Sequence, residues 1–378
     1  MDYRTSVTPA KTSLRWMSFL SLGLLLFLQA IPSHAENIFD PPGKMVDVGG
    51  YSLHLNCVGR GSPTIILETG LGGMSVEWHS IQHQLKQYTK TCAYDRAGYG
   101  WSETSSKPRT TKNIVTELHT LLHAENIPGP YILVGHSFGG YTVQHFASVY
   151  PQETAGIVLI DASHSEQVDR FKNIGLIVAP TKKVTHVKFN KARIPAHYPI
   201  DMQYIALEQM QDSKTMDAIA EEYINFKQSA DQVAKSISLK TTPMIVMTRG
   251  IPGWKNIRRG RKFEQLWQKL QTELSRLSFK SSHLVAKKSG HHIHLDQPNL
   301  TIATISRLVE SARNKQRSKW VEINRSSHRA IRWMAMTDVT WQRDRLRTRL
   351  HQWPVFDPIS RQNSLSSSEL MVSNYNKF

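Results

Sequence analysis

Tyr131-Ile132-Leu133-Val134-Gly135-His136-Ser137-Phe138-Gly139-Gly140 is the stretch that decides how this chain folds. The apolar run Tyr131–Gly135 reads as a strand, and a helical pattern follows over residues 138–150. Between them lies Gly-x-Ser-x-Gly, the turn that lifts a serine hydroxyl clear of a sheet. A serine backbone is strained in such a turn, so its neighbours at 135 and 139 have to be small. Phe138 opens the helix, whose first amides face any negative charge that develops on a substrate. By itself the motif is common and often marks nothing but a turn. A strand before it and a helix after it make Ser137 a candidate nucleophile.

The same rhythm extends in both directions. Lys44–Val48 and Tyr51–Val58 read as a hairpin turned at Gly49-Gly50. Thr64–Thr69, Thr91–Tyr94, Gly156–Ile160, Met244–Thr248 and His283–Ala286 are further compact apolar strands. Being apolar on both faces, most of them suit a parallel sheet covered by helices. Helical patterns fall at 77–88, 111–126, 262–277 and 298–312, which gives an α/β layered domain over residues 40–161 and 243–312. The interval 162–242 is too long for a simple crossover. Helical stretches at Met202–Gln211 and Thr215–Phe226 mark it as an inserted helical cap.

A serine hydroxyl needs a base, and the base needs a carboxylate that fixes its tautomer. Ser289-Gly290-His291-His292-Ile293-His294-Leu295-Asp296 follows the last expected strand. His291 stands first after the glycine, at the carboxyl end of that strand, where open sheets place their sites. His292 and His294 are its adjacent rivals. Three clustered histidines also raise the thought of zinc, but their spacing on a turn does not match usual ligand patterns. No metal and no organic cofactor is implied.

The acid normally falls between serine and histidine in chain order. Met244–Thr248 is followed by Arg249-Gly250-Ile251-Pro252-Gly253, with no carboxylate before Glu264. Asp161 instead closes the strand Gly156–Ile160, and an acid there is costly unless paired. Asp161 is therefore the candidate, with Glu166 or another carboxylate as the open alternative. Thr69-Gly70-Leu71-Gly72-Gly73 follows the third strand. Its glycines let the main chain turn an N–H toward the serine, so Leu71 and Phe138 are the expected oxyanion donors. The loop lacks the Lys-Ser/Thr ending of a nucleotide cradle.

With Asp95-Arg96-Ala97-Gly98-Tyr99-Gly100-Trp101-Ser102 and Gly-His-His-Ile-His-Leu-Asp-Gln-Pro, these segments resemble the α/β-hydrolase superfamily, in its esterase and prolyl-aminopeptidase-like group. The resemblance covers residues 40–312. It implies a mostly parallel eight-stranded sheet with helices on both faces and a helical cap over the site. It also implies a Ser-His-acid set with an acyl-enzyme route, carried by Ser137 and His291. Dehalogenases and epoxide hydrolases of this fold use an aspartate where this chain has Ser137. Two departures stand out: the missing acid after Met244–Thr248, and Thr69 where many relatives carry histidine. A small-molecule acyl substrate is expected. No acidic cluster suited to a free amine is visible, which disfavours an aminopeptidase. A noncatalytic binding protein on the same fold is the competing class.

Composition is that of a globular chain and excludes a wholly disordered, collagen-like or multi-span membrane protein. Residues 1–35 read as a signal peptide or retained anchor: Arg4, Lys11 and Arg15 precede an apolar run from Trp16 to Ile31, and Ser33-His34-Ala35 offers a cleavage site. Export to the periplasm or beyond is expected, with membrane association through that run if it is kept. Export leaves no role for nucleic acid. It also permits a disulfide between Cys57 and Cys92, against two buried thiols. Residues 313–378 carry 13 of the Lys and Arg and 5 of the Asp and Glu, almost half of the formal net charge of +17. With Trp320, Trp333, Trp341 and Trp353 interleaved, this tail is expected to be a basic, disordered extension.

Overall fold

The structure, a computed structural model, describes residues 40–179, 200–236, 239–326 and 370–373. Eight strands follow the expected positions: β1 (Lys44–Asp47), β2 (Ser52–Val58), β3 (Ile65–Glu68), β4 (Thr91–Tyr94), β5 (Tyr131–His136), β6 (Thr154–Ile160), β7 (Met244–Arg249) and β8 (Ser281–Ala286). They form one sheet in the order β1-β2-β4-β3-β5-β6-β7-β8, and Leu370–Ser373 adds β9 at the far edge. From β4 to β8 all pairings are parallel, while β1, β2 and β9 join antiparallel. Every residue of β3 and β5 is buried, as strands covered on both faces must be.

Two apolar layers flank the sheet. On one face, α2 (Thr111–Ala124), α3 (Gly139–Val149) and α8 (Gly260–Leu274) bury Leu118, Leu122, Val143, Phe146 and Leu274. On the other, α1 (His79–Leu85) and α10 (Pro298–Ser326) bury Ile81, Leu85, Ile302, Ile305 and Val309. Phe263, Trp267, Leu270 and Leu274 recur at helical spacing along α8 and form its buried stripe. Between α8 and α10 lies the single turn α9 (Ile293–Asp296). The register of β2 on β4 sets Cys57 opposite Cys92, and the two sulfurs are joined.

Helices α4 (Gln167–Asn173), α5 (Ile200–Gln211), α6 (Ser213–Ile224) and α7 (Phe226–Ser236) fill the interval between β6 and β7. Phe226, Ala230 and Val233 of α7 pack on Ile114, Phe138 and Tyr141 of the core domain. Ile205, Ala218 and Ile219 pack on Met74, Val76 and Tyr99. The expected signal segment, residues 1–35, lies outside the described residues. Of the tail 313–378, the end of α10 and the strand β9 are described and the rest is not. Among the described residues, no helix is long and apolar enough to cross a membrane.

A buried charge fastens this insertion to the sheet. The Arg96 guanidinium donates from Nε to Glu222 Oε1 of α6 at 2.7 Å and from Nη1 to Glu68 Oε1 of β3 at 2.6 Å. Its Nη1 and Nη2 also reach the carbonyls of Thr69 and Gly70 at 2.9 and 2.8 Å. Burial raises the Glu68 carboxyl above its ordinary value although Arg96 and Tyr94 pull it down. Breaking one partner of such a pair leaves the other charge uncompensated. Arg96→Met should therefore destabilise the protein by about 3 kcal/mol or more, read as a lower midpoint in urea unfolding.

Candidate active site

Ser137 sits at the end of β5 with φ +51°, in the left-handed region that a side chain rarely adopts. Close packing holds it there. A Cβ at Gly135 would lie 2.5 Å from the Gly139 carbonyl, and one at Gly139 would lie 2.5 Å from the Thr69 carbonyl. The Ser137 N–H donates to Ile160 O at 3.1 Å, and the Ser137 carbonyl accepts from Ser163 N at 2.9 Å. The serine turn is thus pinned to the end of β6, the strand that delivers Asp161.

His291 lies on the loop after β8 and reaches across to both. Its Nε2 is 2.9 Å from Ser137 Oγ, and its Nδ1 is 2.6 Å from Asp161 Oδ2. Asp161 is wholly buried, whereas the His291 side chain is 35% exposed at the mouth of the site. An ionised carboxylate can only accept, so the His291 proton belongs on Nδ1 and Nε2 is left to receive the serine proton.

Asp161 fills all its acceptor positions. Oδ1 takes the Trp267 indole N–H at 2.8 Å and the Arg249 main-chain N–H at 3.1 Å. Oδ2 shares His291 with the Arg249 guanidinium, whose Nη1 stands 2.8 Å away. Burial by itself raises this carboxyl, but the His291 hydrogen bond, the His291 and Arg249 charges and the Trp267 bond outweigh it and hold Asp161 below its ordinary value.

The loop after β3 closes the other side. A Cβ on Gly70 would lie 3.1 Å from Ser137 Cβ and 2.9 Å from His136 Nδ1, so only glycine fits there. Among the described residues, the main-chain N–H groups of Leu71 and Phe138 have no protein acceptor. Arg96 fixes the loop through the Thr69 and Gly70 carbonyls.

Of the rivals named from sequence, His292 stands beside His291 with its ring centre 5.3 Å away, and the other two lie elsewhere. The Glu166 side chain is 62% exposed and pairs with Arg170. His294 is buried against Trp78 and His136, with Nε2 3.6 Å from Glu77 Oε2. Three groups of ligand-type side chains bring their atoms within 4.8 Å of one another: Glu77, His136 and His294; His119, His123 and Glu153; and His164, Glu166 and Glu273. His291 belongs to none of these. Arg249 and Trp267, the residues that hold Asp161, were not singled out from sequence. The available signal was an arginine standing where an acid was sought.

The alpha/beta hydrolase fold model matches residues 63–175, which span the Gly70 loop, the serine turn and Asp161. The chain has the alpha/beta hydrolase fold and is similar to members of that superfamily. The chain is 27% identical over 262 residues to the uncharacterized protein YqjL of Bacillus subtilis, covering 68% of this chain and 88% of that one. It is 25% identical over 289 residues to an AB hydrolase superfamily protein of Gibberella zeae, covering 66% and 87%. The structure of epoxide hydrolase VrEH1 from Vigna radiata superposes with a TM-score of 0.55 at 13% identity, covering 71% of this chain and 97% of that one, a likeness of fold.

A depressed carboxylate stabilises the folded state above its unfolded pKa, and that contribution is lost as pH falls through the folded value. At neutral pH Asp161→Asn should cost about 3 kcal/mol, because Arg249 loses a buried partner. The gap from wild type should narrow below about pH 4, measured by urea unfolding across pH.

Proposed function

We propose that this α/β hydrolase is an exported serine hydrolase that cleaves a carboxylic ester, or another small acyl compound, through an acyl-enzyme on Ser137. One observation carries the reading: the His291 imidazole stands between Ser137 Oγ and Asp161 Oδ2, within hydrogen-bond reach of each. As Ser137 Oγ attacks the acyl carbon, its proton passes to His291 Nε2. Asp161 steadies the imidazolium that results. The amides of Leu71 and Phe138 receive the oxyanion, and His291 returns the proton to the leaving alcohol. Water then repeats the sequence on the acyl-enzyme and frees the acid and Ser137.

A serine in place of an acidic nucleophile favours acyl transfer over epoxide opening. The helices between β6 and β7 cover the serine turn through Phe138, and they are the part of the chain suited to setting substrate size. Export rests on the composition of residues 1–35 and agrees with the Cys57–Cys92 disulfide, a bond that persists in oxidising compartments.

A fluorophosphonate probe should label the wild type and not Ser137→Ala. Turnover of p-nitrophenyl esters should fall about 10⁴-fold or more in that variant. A wild type that stays unlabelled while correctly folded would leave a binding protein on this fold as the better reading.

A further inference from the structure

β7 ends in Arg249, where the sequence offered no acid, and the fold turns this arginine toward Asp161. Its guanidinium sits in the corner of two indoles packed edge to face, with Cζ 4.6 Å from the Trp254 ring centre and 4.8 Å from that of Trp267. One edge donates to Asp161 Oδ2 at 2.8 Å and the other to Glu264 Oε2 at 3.0 Å. Glu264, on α8, is 13% exposed and also accepts from the Gly253 N–H at 3.0 Å and from Gln268 Nε2 at 3.1 Å. Five groups therefore stand in a line of hydrogen bonds: Glu264, Arg249, Asp161, His291 and Ser137.

We propose that Arg249 and Glu264 are positioning residues that set the strength of His291 as a base, Arg249 by drawing on the Asp161 charge and Glu264 by offsetting Arg249. The inference rests on the hydrolase reading for the role of His291 and deepens it. A lone Asp161 would hold the imidazole proton with a full negative charge. A permanent cation on the same oxygen weakens that hold, and a second carboxylate behind the cation restores part of it. Charges at these separations act strongly because Asp161 and Arg249, at the centre of the string, are buried. The planar guanidinium suits the place, since its fixed N–H groups bond two carboxylates at once and its face packs against aromatic rings.

Other groups face the same imidazole. His136 and His292 lie 4.8 and 5.3 Å from the His291 ring centre, and Trp267 lies 6.1 Å away. Burial and the neighbouring imidazoles hold His136 well below the ordinary histidine range. Desolvation and the His291 charge draw His292 down to about 4. Neither changes charge near neutral pH. His294 and Glu77 stand behind His136, and Asp296 accepts from the Gly290 N–H beside the loop.

The two residues should act with opposite sign, which a merely structural role does not produce. The test is an NMR titration of the His291 ring in wild type, Arg249→Gln, Arg249→Lys and Glu264→Gln, beside the pH dependence of fluorophosphonate labelling. Arg249→Gln should raise the midpoint by about one pH unit, and Glu264→Gln should lower it by a similar amount. Arg249→Lys, which keeps the charge but not the fork, should shift it less than Arg249→Gln. The acid limb of labelling should follow each shift. Should Arg249→Gln fail to fold, the downward shift in Glu264→Gln decides alone. Shifts of one sign in both variants, or none in Glu264→Gln, overturn the proposal. The ring titrates whether or not the enzyme turns over, so loss of the hydrolase reading would appear separately, as a wild type that is never labelled.

Discussion

A carboxylate with no exposure to water governs the arrangement of this molecule's site. Asp161 ends β6 inside the protein, where an unpaired charge costs several kcal/mol. Four donors meet it, from three separate parts of the chain: Arg249 at the end of β7, Trp267 on α8 and His291 after β8. Each is placed by the parallel order β6-β7-β8 and by α8 packing on β7. Satisfying one anion therefore fixes the relative positions of the strands' carboxyl ends. The histidine that completes the set is thereby held over the serine turn.

Arg96 does for the inserted helices what Arg249 does for the acid. It is buried and shared between Glu68 of the sheet and Glu222 of α6, and it grips the carbonyls on either side of the Gly70 peptide. Apolar contacts between the insertion and the core are interchangeable within limits, because hydrophobic attraction has no direction. A guanidinium with fixed N–H vectors is not interchangeable. Seating of α6 and the shape of the loop that presents Leu71 consequently depend on the same side chain.

Most of the fold was legible because strands covered on both faces leave short apolar runs, and those runs landed within two residues of β1 to β8. The serine turn was legible for a local reason: strand, Gly-x-Ser-x-Gly and helix are contiguous in the chain. Position relative to the last strand singled out His291, and its ring lies within hydrogen-bond reach of both Ser137 and Asp161. Other features were not legible. Trp267 reads as an ordinary core residue of an amphipathic helix, and its indole N–H toward Asp161 is a tertiary fact. The extension of α10 beyond residue 312 was missed because its apolar stripe gives way to charged residues there, which removes the periodic signal without removing the helix. Strand β9 is separated from its partner β8 by more than eighty residues of sequence, and no local pattern encodes such a pairing.

The acid's place on β6 has a physical consequence for the end of β7. Here the end of β7 stands beside a buried anion and is obliged to supply donors. Arg249 supplies two, its main-chain N–H and its guanidinium, and the second brings a charge that needs its own partner. Glu264, the first acid after β7 in the chain, takes that place one helical turn into α8 and not at the histidine. The string of alternating charge follows from a single carboxylate placed at the buried end of β6: each buried ion calls for an opposite one, until the last lies close enough to water to stand without another.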